Sequence, residues 1–297
     1  MITFQHTKGD VFGGLTAGIV ALPLALAFGV QSGMGAAAGL YGAISLGLFA
    51  ATFGGTATQI SGPTGPMTVI SAATIASFIA ITGSLEAAIG GIVACFVLAG
   101  IFQFIMGVLK IGNLIRFIPY PVISGFMSGI GVIIILLQLF PAMGQNAPAT
   151  TIDVVKTIAP ALKNVNLWAL FYAALAIAII YLFPRITKAV PGTLVALLAV
   201  TGLSVILGKD VPVIGNIPDG IPAFYGSEIF SIDPALYNEI LSAALTLAAL
   251  GSIDSLLTSV VADNVTKTRH NSNKELIGQG IGNTLSGFFA GLPGAGA

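Results

Sequence analysis

Long apolar runs without any charged residue dominate the pattern of the chain. The first extends from Val11 to Leu85, a stretch of 75 residues with no Asp, Glu, Lys or Arg. A membrane-spanning helix needs about 20 residues, so this run predicts three spans with almost no aqueous loop between them. The three predicted spans are Phe12–Val30, Ala36–Thr52 and Met67–Thr82.

Six further apolar runs extend the pattern to about nine spanning elements, with one more beginning at the end. These runs are Ala87–Leu109, Phe117–Ile152, Asn164–Pro184, Ala189–Gly208, Ile240–Ala262 and Leu276–Ala297. The run from Phe117 is too long for one span, so its helix is predicted to end near Phe140, before Pro141. The residues that follow, with Asp153, Lys156 and Lys163, are predicted to form an external loop. The Pro- and Gly-rich region Lys209–Asn238 is also predicted to be a loop.

The composition indicates which class of protein has this pattern. The chain is 56% hydrophobic and 7% charged, whereas soluble domains are about 25% charged. A surface so poor in charge cannot face water, and the sequence predicts an all-α polytopic membrane protein. The net charge is zero, so no basic surface argues for nucleic acid. The sequence offers no nucleophile–base pair, phosphate-binding loop, metal cluster or cofactor motif, which argues against an enzyme.

The distribution of Lys and Arg predicts the orientation of the chain in the membrane. With a cytoplasmic N-terminus, eight basic residues fall on the inside and three on the outside, and every Arg is inside. This bias is the one that multi-pass proteins of the plasma (inner) membrane show. The outside residues are Lys156, Lys163 and Lys209, and the inside residues are Lys8, Lys110, Arg116, Arg185, Lys188, Lys267, Arg269 and Lys274.

Asp254 is the one charge in the apolar run Ile240–Ala262. A carboxylate at membrane depth costs several kcal/mol, by estimates from about 3 to over 10 kcal/mol, unless a partner stabilises it. Thr258 lies four residues later, so its hydroxyl is expected on the same helix face. Carboxylate and hydroxyl oxygens suit a hard cation such as Na⁺, or a proton relay. The alternative is a structural Asp that only joins helices.

Two uncharged Gly/Pro clusters at membrane depth form a second pattern. They are SGPTGPMT (Ser61–Thr68) and AGLPGAGA (Ala290–Ala297), and each follows an apolar span. The connector Gly54–Pro66 is predicted to enter the membrane extended and to start a helix near Pro66, because Pro favours the first helical turn. Gly/Pro-interrupted segments at matching positions of two halves indicate the central site of a transporter. Two half-helix N-termini would then face each other and form an anion site, to which Thr64 and Thr68 add hydroxyls.

Two glutamines within apolar spans carry less weight. Gln103 and Gln138 are predicted to make hydrogen bonds between helices rather than to bind a substrate.

Four segments of the chain together resemble one transporter family. They are GDVFGGLTAGIVALPLALAFGV (Gly9–Val30), IPYPVISGFMSGIG (Ile118–Gly131), IGNIPDGIPAF (Ile214–Phe224) and NKELIGQGIGNTLSGFFAGLPGAGA (Asn273–Ala297). They resemble the SulP anion transporters, and among these the cyanobacterial-type sodium-dependent bicarbonate transporters.

The resemblance implies a fold of seven plus seven inverted transmembrane segments, divided into core and gate subdomains. Residues 1–235 would form the first repeat, with segments 1–7 and an external loop. Residues 236–297 would begin the second repeat, with segments 8 and 9 and the start of segment 10. The remaining segments and a cytoplasmic STAS domain are expected beyond Ala297, and a homodimer is expected for the full-length protein.

The resemblance also implies which residues form the binding site. Asp254 and Thr258 would bind Na⁺, and Thr64 would contact bicarbonate, while backbone at Gly296 and Ala297 would serve both ions. With the residues at the start of the third segment, the predicted bicarbonate site comprises Thr64, Gly65, Thr68 and Ala297. The predicted sodium site comprises Asp254, Thr258, Gly296 and Ala297.

Three functional hypotheses follow. The first is a Na⁺-coupled bicarbonate symporter that works by alternating access, with Na⁺ as coupling ion and no further cofactor. The second keeps the fold and carries sulfate or a dicarboxylate with protons, so that Asp254 takes up and releases a proton. The third is a passive anion channel or a voltage-sensing motor of the same fold. The lone acid beside a half-helix favours coupling to a cation, so the third ranks last.

Overall fold

Helices form most of the described part of the chain, as predicted. The computed structural model describes residues 7–117, 119–148, 151–187, 190–213 and 222–297. Lys188 and most of the segment Ile214–Phe224 therefore lie outside the described residues. The helices are α1 (Thr7–Gln31), α2 (Ala36–Phe53), α3 (Gly65–Thr82), α4 (Leu85–Val108), α5 (Tyr120–Ala142), α6 (Thr151–Ala161), α7 (Leu167–Leu182), α8 (Gly192–Leu207), α9 (Tyr237–Thr266) and α10 (Ser272–Phe288).

Short elements join these helices. The two strands, β1 (Ser61–Gly62) and β2 (Ala295–Gly296), form one antiparallel pair. Within the described residues, seven helices are long and apolar enough to cross a membrane, and α8, with 16 residues, is apolar but shorter. The ninth predicted span, α10, has 17 residues and is the most polar of the set. The 3-10 helices are Ile111–Phe117, Phe183–Arg185, Gly226–Ser231 and Pro234–Leu236.

Two boundary predictions were wrong. The predicted external loop after Phe140 contains α6, because its apolar and charged positions alternate with helical period and Val154 is fully buried. The preceding helix α5 does not stop before Pro141 but includes it and ends at Ala142. Proline lacks an amide hydrogen, and at the last turn of a helix this removes only one hydrogen bond of the ladder.

The chain divides into two compact units. The smaller unit comprises residues 1–23 and 131–215, and in it α7 packs on α8. Asn166 caps α7 by accepting hydrogen bonds from two backbone N–H groups of its first turn, and its amide nitrogen donates to the carbonyl of Asp210 at 2.8 Å. Trp168, Phe171 and Tyr172 form an aromatic cluster on α7.

The larger unit comprises residues 24–130 and 216–297 and contains both strands. Its core lies where α4 packs against α10, α9 and α3, and large buried side chains such as Phe78, Phe96 and Leu247 fill it. Helices α4 and α10 approach closely at glycines: a Cβ on Gly280 would lie 2.4 Å from the backbone nitrogen of Phe104. Small residues allow such approaches between helices in membranes. On α10, Gln279 is bonded to Ser61 of β1 and Asn283 to Gly294 next to β2, so this helix lies beside the two strands.

Candidate functional site

The two Gly/Pro clusters meet at the strand pair. Ser61 lies opposite Gly296 and Gly62 opposite Ala295, although they are far apart in the sequence. Two further hydrogen bonds extend the pair, because Ala297 donates to the Ile60 carbonyl at 2.7 Å and Ile60 donates to the Ala297 carbonyl at 3.2 Å. The structure thus brings together the two segments that the sequence pattern matched.

Glycine makes the close approach of these segments possible. A Cβ on Gly294 would lie 1.9 Å from the carbonyl oxygen of Gly62, and a Cβ on Gly296 would lie 2.2 Å from the side chain of Gln59. A side chain on Gly294 would force the backbone at Gly62 to move, whereas a side chain on Gly296 would displace the side chain of Gln59. Gly294 is therefore a packing requirement of the strand pair.

Helix α3 begins directly after β1, as predicted for the Pro66 region. Thr64 is extended, with φ −117° and ψ 159°, and the helix starts at Gly65 with Pro66 in its first turn. The first N–H groups of a helix lack partners within the helix and carry its positive dipole end. Thr68 is fully buried one turn later, and its hydroxyl donates to the Thr64 carbonyl at 2.8 Å.

Asp254 contacts the start of α3 through a single hydrogen bond. Its side chain is 6% exposed, and its Oδ2 accepts from the Thr64 hydroxyl at 2.8 Å. No Lys or Arg of the described residues forms an ion pair with this carboxylate. Among the described residues, only Thr64 donates a hydrogen bond to the carboxylate group of Asp254, and the acid retains the capacity to bind a cation.

Thr258 lies one turn beyond Asp254 on α9. Its hydroxyl donates to the backbone carbonyl of Asp254 at 2.8 Å, and its oxygen lone pairs remain available. The described residues contain no group of three or more His, Cys, Asp or Glu side chains that could hold a metal ion. A cation at Asp254 would therefore take its other ligands from hydroxyl and carbonyl oxygens, the ligand type that hard cations prefer.

A row of hydroxyls on α9 joins this helix to the strands. The Ser255 hydroxyl accepts from the backbone N–H of Gly296 at 3.0 Å. Gln59, in the connector before β1, donates to the Ser255 carbonyl at 3.0 Å and accepts from the Ser259 hydroxyl at 3.1 Å. These bonds fix both extended segments against the helix that carries Asp254.

The structure brings most of the predicted site residues to one place. Asp254 and Thr64 are in direct contact, and Gly65 follows Thr64 as the first residue of α3. Gly296 and Ala297 lie in or next to β2, which is bonded to α9 through Ser255. Thr68 and Thr258 lie one turn away, each bonded to the backbone of a site residue.

Sequence reasoning missed the polar residues that support this site. Gln59 links the connector before β1 to α9, and Glu275, Gln279 and Asn283 form a buried polar row on α10. The signal that could have revealed the row is its four-residue spacing, which places the three side chains on one face of a helix. Gln103 does make a bond between helices, as predicted, since it accepts from Asn283 at 2.7 Å.

Comparison with known proteins assigns this architecture to a family. The model of the sulfate permease family matches residues 7–297. The chain is 47% identical over 302 residues to the bicarbonate transporter BicA of Picosynechococcus and 48% identical over 300 residues to BicA of Synechocystis. All of this chain is covered in both, and it spans 53% and 52% of those relatives. A putative sulfate transporter of Bacillus subtilis, YvdB, is 33% identical, with 99% of this chain and 54% of that protein covered.

Solved structures show the same fold. The transmembrane domain of a cyanobacterial bicarbonate transporter BicA superimposes with a TM-score of 0.89 at 47% identity, covering 100% of this chain and 76% of that one. Murine Slc26a9, an anion transporter in the inward-facing state, gives a TM-score of 0.80 at 19% identity, covering 100% and 52%.

Proposed function

Because this chain belongs to the sulfate permease family, we propose that it forms part of a secondary transporter that carries bicarbonate together with Na⁺. The two relatives at 47% and 48% identity are named bicarbonate transporters, whereas the relative at 33% is named a putative sulfate transporter. This difference in identity favours bicarbonate over sulfate as the anion.

The hydrogen bond between Asp254 and Thr64 carries the proposal. It joins the one buried acid of α9 to the residue that precedes α3, so a cation site and an anion site would be neighbours. The positive end of α3 favours an anion, and the incompletely satisfied carboxylate favours a cation. Neighbouring opposite charges stabilise each other in a medium of low dielectric constant.

Each ion has its own set of residues in this proposal. Na⁺ binds at Asp254 and Thr258 and at backbone groups of Gly296 and Ala297. Bicarbonate binds at the start of α3, at Thr64, Gly65 and Thr68, and contacts Ala297. Thr64 and Thr68 already donate their hydroxyl hydrogens, to Asp254 and to the Thr64 carbonyl. Their oxygen lone pairs can accept from the hydroxyl of bicarbonate, and the free N–H groups at the start of α3 can donate to its anionic oxygens.

Coupling follows from the shared position of the two ions. Na⁺ cancels the negative charge of Asp254, which otherwise repels an anion at the start of α3. Each ion then raises the affinity for the other by the same factor, since such coupling is reciprocal. The ions would cross together by alternating access, in a full-length homodimer in the plasma membrane with the N-terminus in the cytoplasm.

Uptake of labelled bicarbonate tests the proposal. The full-length protein is reconstituted into vesicles, and uptake is compared with and without an inward Na⁺ gradient at constant pH. We expect uptake that requires Na⁺ and is lost in Asp254→Ala. Uptake that is driven by a pH gradient instead, and that added sulfate inhibits, would favour the proton-coupled alternative. Anion flux that is indifferent to both gradients would favour a passive channel.

A further inference from the structure

Helix α10 carries a row of buried polar side chains that the proposed ion site does not use. Glu275, Gln279 and Asn283 follow each other at four-residue intervals and therefore lie on one face of the helix. Their exposed fractions are 2%, 0% and 2%. Polar groups buried to this extent are costly unless they are hydrogen-bonded. The partners of this row reveal its role.

Gln279 connects α10 to the first strand. Its amide nitrogen donates to the Ser61 hydroxyl at 2.6 Å and to Glu275 Oε1 at 2.8 Å. A carboxylate only accepts hydrogen bonds, so the nitrogen of the Gln279 amide has to face it. Glu275 Oε2 in turn accepts from the backbone N–H of Gly55 at 2.8 Å. The connector before β1 and the strand itself are thus both fixed to α10.

Asn283 holds the second strand one turn later. Its Oδ1 accepts from the backbone N–H of Gly294 at 2.8 Å, and its Nδ2 donates to the Gly294 carbonyl at 3.0 Å. The Asn283 amide thus bonds both backbone groups of Gly294, as a neighbouring strand would, and fixes the residue before β2. The same nitrogen donates to Gln103 Oε1 on α4 at 2.7 Å. Helix α4 therefore restricts the orientation of the Asn283 side chain.

We propose that Gln279 and Asn283 are positioning residues of the ion site, an inference that rests on the proposed function. Gln279 fixes the strand that leads into Thr64, and Asn283 fixes Gly294, the residue before the strand that contains Gly296. The two residues lie on one rigid helix, one turn apart, and so set the distance between the two halves of the site. Displacing either strand moves the first turn of α3 away from the backbone of Gly296 and Ala297.

Two unpaired atoms in this network distinguish positioning from general stabilisation. Gln279 Oε1 and Gln103 Nε2 are buried and have no hydrogen-bond partner among the described residues. An apolar side chain at these positions would remove that cost. The nitrogen of the Gln279 amide is bonded to Ser61 of the strand, and the oxygen of the same amide has no partner among the described residues, as expected if the strand contact is what this residue provides.

A double-mutant cycle tests the connection between Gln279 and Ser61. Na⁺-dependent bicarbonate uptake is measured in reconstituted full-length protein for Gln279→Leu, Ser61→Ala and the double variant. We expect each single variant to raise the half-saturating bicarbonate concentration about tenfold, and the double variant to match the singles. Additive effects would overturn the inference, because independent sites add and coupled ones do not.

Asn283→Leu tests the second strand, with Thr284→Val as the matched control. The Thr284 hydroxyl donates only to the carbonyl of Gly280 within its own helix, at 2.8 Å. We expect Asn283→Leu to raise the half-saturating Na⁺ concentration about tenfold, and Thr284→Val to leave both ion affinities within about twofold of the unaltered protein.

Folding and transport are measured separately in this experiment. The midpoint of thermal unfolding is measured for every variant. If the larger substitutions do not fold, the ion affinities of Ser61→Ala, the smallest change, test the positioning role. Unaltered ion affinities in folded Ser61→Ala would overturn the inference while the proposed function stands. An unaltered protein without Na⁺-dependent uptake would instead remove the proposed function, and this inference with it.

Discussion

Asp254 and Glu275 are both buried acids of the larger unit, with 6% and 2% of their surface exposed, but their surroundings differ. Each oxygen of Glu275 accepts a hydrogen bond, one from Gly55 and one from Gln279. Asp254 accepts one bond from Thr64 through Oδ2. Glu275 also lies in the first turn of α10, where the helix dipole stabilises an anion, whereas Asp254 lies within α9.

The difference supports a structural role for Glu275 and the proposed cation site at Asp254. The donors that surround Glu275 compensate for its charge, and they belong to segments that have to be held in place. Asp254 lacks such compensation among the described residues, so a mobile cation can supply it. Burial alone does not identify a functional acid in a membrane protein; the number and kind of its hydrogen-bond donors does.

Removing the charge of Asp254 is expected to have the largest effect. Asp254→Asn keeps the shape of the side chain and loses the charge that is proposed to bind Na⁺, so Na⁺-dependent bicarbonate uptake should fall about 100-fold or more. The midpoint of thermal unfolding should stay the same or rise, because a buried carboxylate with one partner is costly. Uptake that keeps its Na⁺ dependence in this variant would contradict the assignment.

The same neutralisation at Glu275 provides the matched comparison. Glu275→Gln replaces one acceptor oxygen with a donor that faces Gly55 or Gln279, so the free energy of unfolding should fall by about 1–3 kcal/mol. Na⁺ should still be required for uptake by the folded fraction. Thermal unfolding measures the loss of stability, and uptake per folded molecule measures whether Na⁺ is still required. Loss of the Na⁺ requirement without loss of stability would reverse the roles of the two acids.

Thr64 links Asp254 to the anion side. Thr64→Val removes the hydroxyl but keeps the shape of the side chain, and it should raise the half-saturating bicarbonate concentration about tenfold. Thr64→Ser, which keeps the hydroxyl, should stay within about threefold. The measurement is the concentration dependence of uptake at saturating Na⁺. Equal effects of Val and Ser would show that packing, rather than the hydrogen bond, matters at this position.

The smallest effect is expected at Thr258. Its hydroxyl hydrogen is bonded to the backbone of Asp254, so only its oxygen lone pairs can contribute to Na⁺ binding. Thr258→Val should raise the half-saturating Na⁺ concentration about threefold to tenfold and leave the apparent affinity for bicarbonate at saturating Na⁺ unchanged. A change in bicarbonate affinity alone would place Thr258 on the anion side.

The sequence was sufficient to predict the helical class, the buried acid and the matched Gly/Pro clusters. Each of these is a local pattern: charge-free runs reveal spans, and a lone Asp254 in such a run stands out. The bond between Gln279 and Ser61 joins residues 218 positions apart, and no local pattern encodes such a pairing. Helix α6 was missed because its 11 residues are too few for periodicity to outweigh the charges that suggested a loop.

Binding of radiolabelled Na⁺ to the purified full-length protein, with and without bicarbonate, tests the two-ion site most directly. Saturating bicarbonate should lower the dissociation constant for Na⁺, and saturating Na⁺ should lower the constant for bicarbonate by the same factor. Both effects should vanish in Asp254→Asn and persist in Glu275→Gln. Na⁺ binding that is indifferent to bicarbonate, or that survives Asp254→Asn, would contradict the account.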